Sequence, residues 1–483
     1  MKPGAGAPYR CRPSDHTCVR LESEECPLSY GSSGDPNAIF FGAFATLNPA
    51  DPETNSTIWA HRLALEELSG DSMDGLPGPG ATRRPLVMIV CNNDASVVET
   101  ALAHLADTLE VPAVLATLKP SDLRRGFEAH ADRDIFYLSP VVSTRTLNGL
   151  NDNGRIWHML GEPADMAPTY VSLLGLAEKY EKARRDVTTL RVALVTTTDA
   201  YDRDLSNALS LVLKFNGKDL TTNEADGNYA GFTVDTTDPQ LLDIATSIVT
   251  YRPHIVISAA SESFTQTSGI FEHIESEWDG EIPNSENVGR PFYVLSPFNA
   301  GDLTGIKSKI NAFIRGATGP TPNRRFVGVS VAGAADLTLQ NQYATRLRTR
   351  FGKDAYTDSG NYYDATYFLT YAIYGAGTAE PLTGSGIARG MNRLLEGQRF
   401  DVGPDLILDV QQALDKDDDT IELQGTLGPR PFDPKTGGRL DEGSVLCFSA
   451  EDSQVTLKSD VLRYDRGSNE LVGDFPCFPG FYP

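Results

Sequence analysis

The segment at 134–147 joins a short apolar run to a turn that carries hydroxyl groups. Residues 135–138 have the pattern of a buried strand, and Pro140 ends that strand because proline has no backbone N–H donor. Ser143 and Thr144 then present two small hydroxyl side chains. Open α/β sheets bind ligands outside the carboxyl ends of their strands, so this segment predicts a ligand-binding turn. The alternative for Ser143 is an ordinary turn hydroxyl without a ligand.

Two further apolar runs end in loops that are candidates for the same edge of a sheet. The run HIVIS at 254–258 is followed by Ser261, and the run FYVL at 292–295 is followed by Phe298. Loops after buried strands face the binding cleft in folds of this kind. Ser261 and Phe298 are therefore predicted ligand contacts.

Motifs for catalysis, cofactors and metals are incomplete. The chain has no G-x-S-x-G nucleophile elbow. The run GSGIARG at 384–390 has its third glycine one residue late for a dinucleotide fingerprint and follows no strand, so it predicts a helix start. Asp415, Asp417 and Asp419 resemble the opening of an EF-hand loop, but Thr420 replaces the required glycine, so a solvated acidic turn is expected. We predict no catalytic residue, no cofactor and no metal site.

The charge of the chain argues against nucleic acid and anionic membrane as its main partners. Its 483 residues include 42 Lys and Arg against 65 Asp and Glu, which gives a formal net charge of −23. Both partners need clustered basic residues. No segment approaches the roughly 18 consecutive apolar residues of a membrane-spanning helix, and the N-terminus lacks the apolar core of a signal peptide. The length predicts two domains, and a small molecule is the expected partner.

The six cysteines are grouped towards the two ends of the chain and form no C-x-x-C pair. An even number in this arrangement favours disulfides formed in an oxidising compartment over a zinc site. We predict the pairs Cys11–Cys18 and Cys447–Cys477, which leaves Cys26–Cys91 as the third pair. The alternative is six reduced, buried thiols.

Strands and helices alternate along most of the chain, after an N-terminal tail at 1–37. Short, wholly apolar strands such as LVMIVC and RVALVT lie between amphipathic helices, such as those at 168–182 and 337–351. Strands of this kind are typical of parallel sheets covered by helices on both faces. Two such sets predict an α/β fold with two doubly wound parallel-sheet lobes around a cleft.

Five segments, in order and at suitable spacing, resemble the leucine/isoleucine/valine-binding branch of the type I periplasmic binding proteins, the receptors of ABC transporters. They lie between about residues 38 and 440 and read VPAVLATLKPSD, FYLSPVVST, RVALVTTTDAYDRDL, NYYDATYFLTYAI and GTLGPRPFDPKTG. The resemblance implies two lobes joined by a three-segment hinge. Lobe one would comprise 38–163 and 333–430. Lobe two would comprise 164–332 and 431–483, with a C-terminal extension pinned by its cysteines.

The resemblance also implies which residues contact a ligand. In this family the loop after the third strand and the Ser-Pro turn hold the ligand's carboxylate through hydroxyl and backbone N–H groups. The matching residues are Pro120 or Ser121, followed by Val141 and Ser143. Tyr201 matches the tyrosine with which the second lobe covers the apolar part of the ligand. Ser121 could instead be a plain helix N-cap, and Tyr201 a partly exposed surface residue.

One departure from the family concerns the kind of ligand. Its amino-acid binders carry an acidic residue where this chain has Phe298. A phenylalanine cannot accept a hydrogen bond from an ammonium group or balance its charge. This position therefore favours a carboxylate or an amide with an apolar or aromatic body over an ordinary amino acid.

The function implied by the resemblance is that of an extracytoplasmic solute-binding protein. It would close on a small amino-acid-like, amide or carboxylate ligand and deliver it to the permease of an ABC transporter, without catalysis. The expected location is periplasmic or extracellular, and anchoring by lipid through a removed N-terminal segment is one arrangement. Two alternatives stay open, namely a sensory receptor ectodomain without transport and an enzyme on the same two-lobe frame.

Overall fold

The chain divides into two units, and each unit is built from two separate stretches of sequence. In the computed structural model the first unit comprises Met1–Gly161 and Ala334–Leu440, and the second comprises Glu162–Gly333 and Asp441–Pro483. The chain therefore passes between the units three times. The structure describes residues 8–12, 14–48, 51–52, 55–69, 75–78, 82–141, 147–235, 240–260, 264–278, 289–296, 322–330, 338–355, 359–377, 381–416, 419–426, 428, 431–440, 443–451 and 454–482.

Most strands of the described residues have seven residues or fewer, and β22 and β23 near the C-terminus are longer. In chain order they are β1 Tyr9–Cys11, β2 Cys18–Arg20, β3 Leu28–Tyr30, β4 Ile39–Ala45, β5 Leu76–Pro77, β6 Arg83–Arg84, β7 Leu86–Asn92, β8 Ala113–Leu115, β9 Phe136–Ser139, β10 Ile156–His158, β11 Val192–Thr197, β12 Lys214–Phe215, β13 Lys218–Asp219, β14 Tyr229–Val234, β15 Ile255–Ser258, β16 Phe292–Leu295, β17 Phe326–Ser330, β18 Gln398–Asp401, β19 Ile421–Gln424, β20 Phe432–Asp433, β21 Gly438–Arg439, β22 Ser444–Glu451, β23 Gln454–Asp465 and β24 Glu470–Gly473.

The helices alternate with these strands in both units. In chain order they are α1 Ser56–Leu68, α2 Val98–Ala103 (continued by a π-helical turn at His104–Thr108), α3 Pro120–Ala129, α4 Ala167–Arg185, α5 Ala200–Val212, α6 Leu220–Ala225, α7 Leu241–Tyr251, α8 Phe264–Glu277, α9 Thr338–Phe351, α10 Ser359–Gly375, α11 Gly384–Asn392 and α12 Ile407–Ala413.

The first unit is centred on an eight-stranded sheet in the order β20-β21-β10-β9-β8-β4-β7-β3. Its central strands run parallel, whereas β3 is antiparallel to β7 and β20 is antiparallel to β21. Side chains alternate between the two faces, so that Phe41 and Phe136 join one buried apolar cluster while Phe44 and Tyr137 join another. Burial on both faces explains why these strands are almost wholly apolar in sequence.

The second unit contains a similar eight-stranded sheet in the order β14-β11-β15-β16-β17-β22-β23-β24. The first five strands run parallel, and the three C-terminal strands continue the sheet in antiparallel pairs. Leu194 and Val195 again point into different clusters on the two faces. The carboxyl ends of β11, β15 and β16 consequently meet at one edge of this sheet.

All three predicted disulfides are present, in the predicted pairing. Cys11–Cys18 closes the small β1–β2 hairpin, and Cys26–Cys91 links the N-terminal segment to β7. Cys447–Cys477 joins β22 to the end of the chain. Each bond closes a loop between segments that are already paired or packed, which favours the folded chain over the unfolded one.

The N-terminal segment at 8–30 is an integral part of the first unit, unlike the tail expected there. Strand β3 pairs with β7, with Leu28 opposite Val90. Leu21 is buried in the same apolar cluster as Cys26, and its carbonyl lies 2.8 Å from Nε2 of His104. A few apolar residues and a disulfide are therefore sufficient to fix a segment that is rich in turn residues.

The glycine-rich run at 384–390 starts a helix, as predicted, and its first glycine is needed for packing. The N–H of Gly384 donates to the carbonyl of Asp134 over 2.7 Å, and Oδ1 of Asp134 accepts from the N–H of Ser385 over 2.9 Å. A Cβ atom on Gly384 would lie 2.5 Å from the carbonyl carbon of Ile135. Because a carboxylate of the chain already occupies this helix start, the run does not suit a dinucleotide phosphate.

Candidate ligand-binding site

The turns that follow β8 and β9 lie side by side at the carboxyl edge of the first sheet. The two strands are parallel, with Leu115 opposite Leu138. The backbone N–H of Ala116 continues the pairing by donating to the carbonyl of Leu138 over 2.9 Å. The loop after the third strand and the Ser-Pro turn, which are far apart in sequence, are thereby brought together.

Thr117 lies in the first of these turns and was not among the predicted contacts. Its side chain is 8 % exposed, and its Oγ1 atom has no hydrogen-bond partner among the described residues. A buried hydroxyl group without a partner costs about 1–3 kcal/mol, so a polar atom that reached Oγ1 would be stabilising. Thr117 could have been predicted from the sequence, because it follows a buried strand, which is the pattern that led to the prediction of Ser143.

Asn92 and Asn93 connect the ends of three strands at the same edge. Oδ1 of Asn92 accepts from the backbone N–H of Leu47, which follows β4, over 3.4 Å. The backbone N–H of Asn93 donates to the carbonyl of Ala45 over 3.0 Å. Nδ2 of Asn93 donates to the carbonyl of Thr117 over 3.1 Å. These bonds fix the position of the Thr117 turn relative to β4 and β7.

The Ser-Pro turn is stabilised by a hydrogen bond from the side chain of its first residue, Ser139. Ser139 is buried, and its Oγ donates to the carbonyl of Val141 over 3.3 Å. The carbonyl of Ser139 accepts from the N–H of Met159, over 2.8 Å, at the end of the neighbouring β10. Val141 is half-buried and stays within this turn. The predicted contact Val141 therefore lies at the same sheet edge as Thr117.

Ser121 lies on α3, one residue after the proline that begins the helix, and its side chain is exposed. The N-cap position belongs to Lys119, which makes no side-chain capping bond. The alternative role of Ser121 as an N-cap is therefore not what the structure shows. Its exposed hydroxyl is compatible with a ligand contact, which stays a prediction.

In the second unit, the turn after β11 positions Tyr201. Asp199 caps α5 by accepting from the N–H of Tyr201 over 2.9 Å, and Oγ1 of Thr197 donates to Oδ2 of the buried Asp202 over 2.5 Å. The side chain of Tyr201 is 4 % exposed, so the alternative of a surface tyrosine is wrong. The capping carboxylate and the Thr197 bond hold the start of α5, and with it the aromatic ring, at the carboxyl edge of this sheet.

The ends of β15 and β16 are linked at the same edge of the second sheet. Oγ of the buried Ser296 donates to the carbonyl of Ala260 over 2.5 Å. The N–H of Ala259 donates to the carbonyl of Val195 over 2.7 Å, which connects this turn to β11. The turns that would carry two further predicted contacts thus begin next to each other. Ser143, Ser261 and Phe298 themselves lie outside the described residues.

Two kinds of feature are missing from the part of the chain that the structure describes. It contains no group of three or more His, Cys, Asp or Glu side chains that could hold a metal ion. None of its helices is both long enough and apolar enough to cross a membrane. Asp415, which had suggested an EF-hand opening, accepts a hydrogen bond from the hydroxyl of Tyr374.

His158 is a buried histidine beside the Ser-Pro turn. It lies opposite Ser139 in the parallel pairing of β9 and β10 and is 1 % exposed. Its Nδ1 atom has no hydrogen-bond partner among the described residues. Burial disfavours the charged imidazolium and lowers the pKa of His158 to about 3. The folded protein therefore holds this side chain neutral.

The burial of His158 predicts acid sensitivity of the fold. Below pH 6.5 the imidazole of His158 binds a proton in the unfolded chain but not in the folded chain. The contribution of the neutral His158 to stability is therefore complete above pH 6.5 and falls as the pH approaches 3. At pH 5 the part of this loss that comes from His158 should be about 2 kcal/mol relative to pH 7. Urea unfolding at both pH values should show that His158→Gln reduces the pH-dependent loss. His16→Asn, at an exposed position, is the control and should leave the loss unchanged.

Similarity to known proteins is found in the three-dimensional structure and not in the sequence. No protein-family model matches the chain. No curated protein matches it in sequence either. A possible leucine/isoleucine/valine-binding protein from Rhodopirellula baltica SH 1 aligns with a TM-score of 0.59 at 13% identity, over 87% of this chain and 96% of that chain.

Two further solved structures were determined with small ligands bound. An ABC transporter substrate-binding protein from Desulfitobacterium hafniense, in complex with Leu, aligns with a TM-score of 0.56 at 14% identity, over 87% of this chain and 100% of that chain. A solute-binding protein of an ABC transporter from Rhodopseudomonas palustris BisB5, in complex with 3,4-dihydroxy benzoic acid, aligns with a TM-score of 0.57 at 10% identity, over 89% of this chain and 99% of that chain. At these identities the alignments establish the fold, and the predicted two-sheet α/β architecture is confirmed.

Proposed function

We propose, from the premise that this chain has the type I periplasmic binding protein fold, that it is a solute-binding protein for a small carboxylate or amide. The ligand would be held by the carboxyl edges of both sheets. Thr117, Ser121, Val141 and Ser143 would contribute from the first unit. Tyr201, Ser261 and Phe298 would contribute from the second unit. Closure of the two units by their three-segment hinge would be stabilised by contacts that the ligand makes with both.

The observation that best supports binding at this edge is the buried hydroxyl of Thr117. Oγ1 of Thr117 has no partner among the described residues, although the carbonyl of the same residue is fixed by Asn93. A pre-positioned polar atom in an otherwise apolar surround is what a small-molecule site requires for orientation. A hydroxyl group can donate to a carboxylate or accept from an amide, so it is compatible with both ligand classes.

The ligand class is inferred from the residue types at the edge. Hydroxyl groups and turn N–H groups on the first unit suit a carboxylate or amide end. Tyr201 and Phe298 are aromatic residue types, which would suit an apolar or aromatic body. Without an acidic residue at position 298, an ammonium group would lose its expected partner. Leu and 3,4-dihydroxy benzoic acid, the ligands named for the similar structures, both carry a carboxyl group.

The proposed partner is the membrane permease of an ABC transporter, and the proposed location is outside the cytoplasm. Both similar structures with bound ligands are described as ABC transporter proteins. The three disulfides are consistent with an oxidising compartment.

Thermal unfolding with matched ligands tests the proposal. Benzoate, benzamide and benzylamine share a ring and differ in the charge and hydrogen bonding of one end. Leucine and isocaproate differ only in the ammonium group. We expect stabilisation by a carboxylate or an amide, about 2.7 kcal/mol at a concentration of 100 times Kd, and a smaller effect of leucine than of isocaproate.

Chemical analysis after the assay completes the test. The stabilising compound should be recovered unchanged after long incubation with the protein, since no reaction is expected. Stabilisation by benzylamine alone, or by none of the compounds, would contradict the proposed ligand class. Conversion of the compound would show an enzyme instead.

A further inference from the structure

We infer that the Cys26–Cys91 disulfide is a brace for the binding edge of the first unit, and that the N-terminal segment positions the ligand-contacting turns through it. The inference rests on the proposed function, which makes this edge the place where a ligand binds. Its structural basis is a chain of contacts from Cys26 to Thr117.

The brace begins at the last residues of β7. Cys91 is bonded to Cys26, and both side chains are fully buried. The carbonyl of Glu25 accepts from the backbone N–H of Asn92 over 2.8 Å. Two consecutive residues of β7 are therefore held by two consecutive residues of the N-terminal segment, one by a covalent bond and one by a hydrogen bond.

The contact continues from Asn92 to the turns of the edge. Asn92 holds Leu47 through its side chain, and Asn93 holds Ala45 and Thr117 through its backbone and its side chain. The turns after β4 and β8 thus depend on where β7 ends. A shift of residues 91–93 would move the Thr117 hydroxyl that the proposed ligand contacts.

Apart from the disulfide, the pairing of the N-terminal segment with the sheet is short. Strand β3 has three residues and lies at the edge of the sheet, where a strand has a partner on one side only. The other N-terminal disulfide, Cys11–Cys18, lies in an exposed hairpin and joins residues that are already neighbours in β1 and β2. That hairpin therefore provides a matched control, because it is an N-terminal disulfide without a link to the binding edge.

Hydrogen–deuterium exchange on the full chain without ligand tests the brace. In Cys26→Ala/Cys91→Ala the amides of Leu47, Asn92 and Asn93 should exchange about tenfold faster or more, while the centre of β4 and the second unit keep their protection. The Cys11→Ala/Cys18→Ala variant should leave these three amides unchanged. Mild dithiothreitol treatment of the unmodified protein should open the exposed bond first and also leave them unchanged.

Three results would overturn the inference. The three amides could keep their protection without the Cys26–Cys91 bond, or they could lose it equally in both double variants. The whole first unit, including the centre of β4, could also lose protection, which would make the bond a general stabiliser and not a brace of the edge. Because no ligand is present, failure of the ligand screen and failure of the brace are separate results.

Discussion

Replacing Glu275 with alanine is expected to lower the free energy of unfolding of the second unit by about 3–5 kcal/mol. Glu275 lies on α8 and is almost fully buried. Both of its oxygens accept from Arg325 over 2.8 Å, and Arg290 donates to the same carboxylate over 2.8 Å. The hydroxyl of Tyr293 donates to it over 2.7 Å. Removing the carboxylate leaves the buried guanidinium of Arg325 without its balancing charge.

The control for this variant is Glu277→Ala on the same helix. Glu277 is exposed and accepts one hydrogen bond, from Oγ1 of Thr246 over 3.0 Å. Its loss should cost less than about 1 kcal/mol, since exposed polar pairs contribute little. Urea unfolding followed by circular dichroism would measure both. Equal effects of the two variants would show that the buried cluster does not stabilise the unit.

The same carboxylate predicts a loss of stability in strong acid. Burial alone would raise the pKa of Glu275. The charge of Arg325, together with the hydrogen bonds that the carboxylate accepts from Arg325, Tyr293 and Arg290, instead lowers this pKa to about 2. Because this value lies below the ordinary 4.5, the contribution is complete above pH 4.5 and is lost as the pH falls towards 2. In Glu275→Ala the decrease in the free energy of unfolding over this pH window should be smaller than in the unmodified protein.

Replacing Glu67 with alanine is expected to lower the stability of the first unit by about 3 kcal/mol. Glu67 is at the end of α1 and accepts from Nε of Arg346 over 2.9 Å. Its other oxygen accepts from the hydroxyls of Tyr363 and Tyr367 over 2.5 and 2.7 Å. Both tyrosines are fully buried, so their hydroxyl groups would lose this charged acceptor without gaining water in its place.

Glu66→Ala is the matched control, because it removes a carboxylate from the adjacent position of α1. Glu66 pairs with Arg62 over 3.0 Å and with Arg350, and both pairs are accessible to solvent. Such pairs contribute up to about 1 kcal/mol. Urea unfolding should therefore separate the two glutamates by about 2 kcal/mol. A larger effect at Glu66 would contradict the assignment of Glu67 as the residue that joins α1 to α9 and α10.

The predictions from sequence succeeded where a local pattern carries the information. The disulfide pairing followed from the grouping of the cysteines, and the helix at 384–392 followed from the failure of its glycines to match a phosphate loop. Strands β4, β7 and β11 were recognisable because burial on both faces requires continuous apolar runs. Strand β14 was not predicted because it lies at the edge of its sheet, is largely half-buried and not wholly apolar, and contains Gly231.

Contacts between residues that are far apart in the chain could not be predicted from the sequence. Glu275 meets Arg325 fifty positions later, and Glu67 meets Tyr363 almost three hundred positions later. Nothing in the local sequence distinguishes Glu275 from Glu277, or Glu67 from Glu66. The role of Asn93 is of the same kind, because its partner Thr117 lies 24 positions later, in the turn after β8.

Isothermal titration calorimetry with the best carboxylate or amide from the ligand screen tests most directly whether both sheet edges hold one ligand. One molecule should bind per chain, and Thr117→Val and Tyr201→Ala, from different units, should each weaken binding about tenfold. Thr349→Val, at an exposed position on α9, should bind as the unmodified protein does. Unchanged affinity in both site variants, or weakening by the variant of one unit only, would contradict binding between the two units.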